Sequence, residues 1–203
     1  MGRSTVFGNL QVFALGASIC LFSTIVRADD AADTAKTIAR CETCHGSRGD
    51  SAFATTPRLN GQQTAYLTSR FRSFRDPTRQ DPHAINNMWP IASQVGDATM
   101  AAIAKYFSSQ APTPAKGTGP LAAAGRKIYE NGAQGVPACQ SCHGENAEGK
   151  DAVPRLAGQH EGYLAAQMWS FNFMLRNSAA MHPNVMHMTD EQIRVLASYL
   201  AGN

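Results

Sequence analysis

The chain has no cysteine to spare for a disulfide. Five occur in its 203 residues; Cys20 lies in an apolar leader, and the other four stand in two short motifs. A small disulfide-stapled scaffold is thereby excluded. Beyond residue 28 no apolar run is long enough to span a bilayer, so only the leader could reach one. A charge excess of either sign is also missing. The formal net charge is +3, and it falls close to neutrality if Arg3 and Arg27 leave with the leader. Nucleic acid is therefore not an expected partner. No stretch alternates apolar and polar residues as a half-buried strand would.

The leader has Arg3, an apolar run from about Leu10 to Val26, and Val26-Arg27-Ala28 before Asp29. These predict a signal peptide over residues 1–28, cut after Ala28. The competing reading is an uncleaved membrane anchor. Ile19 before Cys20 disfavours lipid attachment there, because a small residue is needed at that place.

The remaining cysteines form CETCH at Cys41–His45 and CQSCH at Cys139–His143, 98 residues apart. Cys-x-x-Cys-His is the attachment signature of a c-type haem. Cys41 and Cys44, and likewise Cys139 and Cys142, would add across the porphyrin vinyl groups. His45 and His143 would each coordinate an iron. Two copies predict two covalently attached haem c groups, made outside the cytoplasm, in agreement with the leader.

The repeat extends well beyond these pentapeptides. Pro57-Arg58-Leu59-Asn60-Gly61-Gln62 matches Pro154-Arg155-Leu156-Ala157-Gly158-Gln159, and Tyr66-Leu67 matches Tyr163-Leu164, all at an offset of 97. Farther on the offset falls to 93, where Met88-Trp89-Pro90 matches Met181-His182-Pro183. Between the copies, residues 110–120 hold three prolines and two glycines and show no apolar periodicity. They read as a linker. The expected organisation is a domain at 29–110, a linker at 111–120 and a domain at 121–203.

Each half reads as all-helical. A first helix is expected at about Ala31–Arg40 and Leu121–Glu130. A second follows the Gly-Gln pair, with apolar faces at Leu67, Phe71 and Phe74 and at Leu164, Met168 and Phe171. A third begins near Asp97 and near Thr189, where Thr189 and Gln192 have capping-box spacing. Domains of this size bury modest cores, so each is expected to need its haem in order to fold.

A metal-bound imidazole is oriented through its other ring nitrogen. The candidate acceptors are the backbone carbonyls of Pro57 and Pro154. The sixth ligand decides the chemistry, since a filled site carries electrons and an open one binds small molecules. Methionine raises the reduction potential. Met100 lies on an apolar helix face, whereas Met88 sits in the preceding loop, where packing does not explain it. Among Met168, Met174, Met181, Met186 and Met188, only Met181 shares the register of Met88. The predicted pairs are His45 with Met88 and His143 with Met181. His83, and His182 or His187, remain alternatives, although they occupy no equivalent positions.

Arg58 and Arg155 are candidate partners of haem propionates, the alternative being solvated loop arginines. Tyr66 and Tyr163 fit the haem edge, the domain interface or simple core packing. Arg70, Arg72, Arg75 and Arg79 form a basic run without a full counterpart. It is either an exposed helix flank or a face that steers an acidic redox partner.

In these motifs and their order, the chain resembles the cytochrome c4 family over essentially its whole mature length. The marks are CETCHG and CQSCHG, PRLNGQ and PRLAGQ, the paired methionines, YFSSQ and NGAQGVPACQSCHG. The resemblance implies two tandem class I cytochrome c domains about a pseudo-twofold axis, with haem propionates facing across the interface. It further implies His/Met ligation, a periplasmic location and electron traffic toward terminal oxidases. The segment before Met181 is four residues shorter than that before Met88, and MHPNVMHM is unusually rich in Met and His. The expected function is a periplasmic di-haem electron carrier, with no catalytic residues. Its partners are redox proteins, and any association with a membrane would run through them. A cytochrome subunit of a periplasmic flavodehydrogenase shares the fold and stays open. A di-haem peroxidase would need a displaceable sixth ligand, which the paired methionines disfavour.

Overall fold

The computed structural model describes residues 1–2, 28–114, 119 and 121–203. The leader, apart from its ends, and half of the expected linker therefore lie outside the described residues. Among the described residues the chain is helical, and its only extended pairings are the isolated bridges Ala133–Val136 and Lys150–Val153. No described helix is long and apolar enough to cross a membrane.

The first half contains α1 (Ala28–His45), α2 (Thr64–Ser73), α3 (Trp89–Ala92) and α4 (Asp97–Ser108). The second contains α5 (Ala122–Asn131), α6 (Gln140–His143), α7 (Glu161–Asn172), α8 (Met181–Val185) and α9 (Asp190–Gly202). The first haem motif continues α1 directly, which makes that helix longer than its apolar pattern suggested. The second motif stands apart on α6. There Gly132, at φ +75°, ends α5, and Pro137 cannot supply the N–H that a continuing helix needs.

The segments expected as loops around the two paired methionines are helical. Ala84–Met88 is a π-helical turn that runs straight into α3, and Met181 opens α8. Asp81 stabilises the first turn by accepting from the Ala84 N–H at 3.0 Å. Pro90 and Pro183 fall in the opening turns of α3 and α8, where a missing N–H costs nothing. Phe74, expected on the face of α2, caps its C-terminus instead.

The core of the second half is the fuller one. Leu164, Met168 and Phe171 of α7 pack with Ile193, Leu196 and Leu200 of α9 and with Tyr129 of α5. In the first half Met100, Ile103, Ala104 and Phe107 of α4 are buried, while α2 buries no residue fully. The Thr189–Gln192 capping box forms as expected, with bonds of 3.2 and 2.9 Å. Helix α5 crosses α9 at very close range. A Cβ at Gly125 would stand 2.0 Å from the Val195 carbonyl oxygen. Gly125→Ala is therefore expected to lower stability by about 1–3 kcal/mol, as overpacking does. An unchanged melting temperature would contradict this reading of the crossing.

The halves are joined by reciprocal hydrogen bonds. Gln159 bonds the backbone of Arg58, and Gln62 bonds the backbone of Arg155. His160 Nε2 lies 2.8 Å from the Ser51 carbonyl oxygen, and the matching Gln63 donates to the Glu148 carbonyl at 3.0 Å. Such swapped pairings are what an approximate twofold axis produces.

The basic run is largely drawn into contacts with the protein itself. Arg79 is buried, pairs with Asp81 at 2.6 Å and stacks on Phe74. Arg75 donates to the Ala92 carbonyl at 2.9 Å, to Asp97 at 2.8 Å and to the Val95 carbonyl. Arg72 stays exposed, 3.8 Å from Asp97. A steering face built on all four arginines is thus not what the fold presents.

Candidate functional site

Each Cys-x-x-Cys-His segment is helical, so its two thiols and its histidine sit within little more than one turn. None of the four thiols is in a disulfide. Cys44 and Cys142 are exposed, while Cys41 and Cys139 are partly covered. Burial pushes the Cys41 and Cys139 thiols up to about 11. The glycine after each histidine is required by the turn that follows. Gly46 and Gly144 both have φ +87° or close to it (+80° and +87°), and a Cβ at Gly46 would meet the Asp50 carbonyl oxygen at 2.3 Å.

His45 and His143 are both buried, 8% and 6% exposed. His45 Nδ1 lies 2.8 Å from the Pro57 carbonyl oxygen, and His143 Nδ1 lies 3.1 Å from that of Pro154. A carbonyl can only accept, so Nδ1 carries the proton and Nε2 is left free for a metal. Burial lowers the pKa of both imidazoles, against the opposing effect of these hydrogen bonds. A neutral ring is the form that ligates iron.

Met88 is half-buried at the end of its π-helical turn. Its neighbours Ala84, Ile85 and Trp89 line a cleft of about 380 Å³ together with Phe74, Pro77 and Arg79. Ile85 and Trp89 are large apolar side chains exposed at 44% and 51%, and the charged Asp76 and Arg79 share the cleft with them. In the second half Met181 is half-buried against the core, Met188 is buried and Met186 is exposed. His83 and His187 are exposed, and half-buried His182 places its Nδ1 2.8 Å from the Phe171 carbonyl oxygen.

The arginines expected beside the propionates differ from one another. Arg58 pairs with Asp50 at 3.1 Å and donates to the Gly158 carbonyl at 2.6 Å. Arg155 Nε is buried with no hydrogen-bond partner, and so is Nε of Arg176. Arg176 is itself buried, and its Nη2 donates to the Tyr66 hydroxyl at 3.0 Å across the interface. Buried Arg176 and half-buried Arg155 each keep a buried Nε without a partner, which fits a cofactor that brings carboxylates. Sequence reasoning passed over Arg176, whose only signal was its register with Arg79, and over Gln62 and Gln159, which it read merely as part of a repeat.

Comparison with known proteins identifies the family. The cytochrome c family model matches residues 122–203. The chain is 32% identical over 194 residues to cytochrome c4 of Azotobacter vinelandii, covering 86% of this chain and 90% of that one. It is 35% identical over 173 residues to a thiosulfate dehydrogenase electron acceptor of Thiomonas intermedia, covering 80% and 78%. The solved structure of Acidithiobacillus ferrooxidans cytochrome c4 superposes with a TM-score of 0.77 at 32% identity, covering 81% of this chain and 99% of that one. With paired haem-attachment motifs, a repeated helical fold and these similarities, the chain belongs to the cytochrome c4 family, a di-haem electron-transfer protein carrying two covalent haem c groups.

Proposed function

We propose that the protein is a periplasmic carrier of single electrons, taking them from respiratory donors and delivering them to a terminal oxidase or reductase, without catalysis of its own. The domains are assigned to 29–110 and 121–203, joined by the linker 111–120. When bound, each haem supplies a one-electron iron couple, whose potential the protein tunes. Cys41 and Cys44 would anchor the first haem and Cys139 and Cys142 the second. His45 with Met88, and His143 with Met181, would hold the irons from both sides. Arg155 and Arg176 would meet carboxylates at the buried edge. The observation that carries this reading is the repeated geometry of a buried histidine, held through Nδ1 by a proline carbonyl, directly after two free thiols.

The test is a redox titration of the holoprotein. Two one-electron waves, and no rapid reaction of the half-reduced protein with peroxide, are expected. Fast peroxide turnover would refute a pure carrier. A second reading, a cytochrome subunit serving a periplasmic dehydrogenase, is favoured by the similarity to the Thiomonas electron acceptor. Co-purification with a dehydrogenase would select it, and purification alone as a monomer would select the free carrier.

A further inference from the structure

The peptide group that accepts from each axial histidine has two ends. In the first half the Pro57 carbonyl accepts from His45 Nδ1 at 2.8 Å, and the N–H of the same peptide unit, on Arg58, donates to Gln159 Oε1 at 2.9 Å. In the second half the Pro154 carbonyl faces His143 Nδ1 at 3.1 Å, and the Arg155 N–H donates to Gln62 Oε1 at 2.8 Å. Each glutamine also donates through Nε2 to the carbonyl of the arginine it binds, at 2.9 Å in both cases. Both glutamines are 7% exposed. Both Oε1 atoms accept a second N–H, from His160 and from Gln63, each at 3.0 Å. Every glutamine thus lies in the half opposite the histidine its chain of bonds ends on.

We infer that Gln62 and Gln159 are cross-domain positioning residues, each setting the hydrogen bond, and so the donor strength, of the other domain's axial histidine. This rests on the reading of His45 and His143 as iron ligands. A peptide whose N–H is held by a strong acceptor is polarised, and its carbonyl becomes a better acceptor in turn. A better acceptor at Nδ1–H makes the imidazole more basic. A more basic imidazole favours ferric iron and lowers the potential. The contact that joins the two halves is therefore also a chain of bonded groups that ends at both irons, so a change at the interface reaches each potential from the opposite side.

Gln159→Leu and Gln62→Leu in the holoprotein test this, with the two haems resolved by NMR through contacts to each domain's own aromatic rings. Gln159→Leu is expected to raise the potential of the haem on His45 and to speed exchange of the His45 Nδ1 proton, leaving His143 unmoved. Gln62→Leu is expected to do the reverse. A shift confined to the mutated glutamine's own half, or none, overturns the proposal. Should the leucine variants fail to fold, Gln159→Glu and Gln62→Glu keep the acceptor. They are expected to leave the opposite haem at or below its wild-type potential. A rise there overturns the proposal. If histidine ligation itself is wrong, the wild-type protein lacks imidazole ring signals at both haems, which is visible before any glutamine is changed.

Discussion

Replacing Met88 with alanine is expected to abolish the Met–iron charge-transfer signature of one haem and to lower its potential, leaving the other unchanged. A thioether is a soft ligand that favours ferrous iron, so losing it stabilises the ferric state. The fall should be on the order of 0.1 V, a fraction of the roughly 0.8 V that axial ligation spans. Met181→Ala should do the same at the other haem. Two controls separate ligation from packing. Met100 is wholly buried on α4, so Met100→Leu should cost less than about 1.5 kcal/mol and leave both spectra unchanged. Met186 is exposed, so its replacement should change neither potential nor stability. A second haem that lacks the Met–iron band already in the wild type, keeps its spectrum in Met181→Ala and changes it in His182→Ala would move the second ligand by one residue, to half-buried His182.

Blocking haem attachment in the first half is expected to unfold that half, whereas blocking it in the second should leave a helical remnant. With Cys41→Ala and Cys44→Ala the first half retains the buried side chains of α4, with Ala84 and Ala92, and an α2 that buries nothing fully. Ile85 and Trp89 would face water along an uncovered cleft. That is too little apolar burial to offset the ordering of some eighty residues, where even intact small domains are marginal. With Cys139→Ala and Cys142→Ala the second half keeps α5, α7 and α9 packed through Tyr129, Leu164, Phe171, Ile193 and Leu200. Far-ultraviolet dichroism and amide exchange should show first-half protection lost entirely in the former variant, and α5–α9 protection partly retained in the latter. Equal loss in both would show that the haem, rather than the side-chain core, carries the second half too.

Much of this protein was legible before any coordinates. The two haem motifs are local, since a thiol pair and a histidine within five residues need only one helical turn to come together. The helices α4, α7 and α9 announced themselves through apolar faces, and α9 through its capping box. The proline carbonyls were legible because proline leaves its acceptor without a competing donor, and the repeat displayed both at once. The methionine segments were misjudged as loops. Short helical turns started by Asp81, or opened by a proline in their first turn, leave no periodic pattern long enough to read.

What the sequence could not decide was set by packing, within each half and between the two. Arg58 and Arg155 look equivalent in the repeat, yet Asp50 neutralises the first and Arg155 keeps a buried Nε without a partner. Arg75 and Arg79 read as surface charge, yet they turn inward onto backbone carbonyls and Asp81. Gln62 and Gln159 were letters in a motif until each was seen gripping the backbone of the opposite half. By itself the sequence determined the number of haems, the two motifs that carry the paired thiols and the helical class, because covalent chemistry and helical periodicity act over a few residues. Only the tertiary structure decided which polar groups are paired, because a side chain's partner is chosen by packing: Asp81 beside Arg79 within one half, and for Gln62 and Gln159 the backbone of the opposite half.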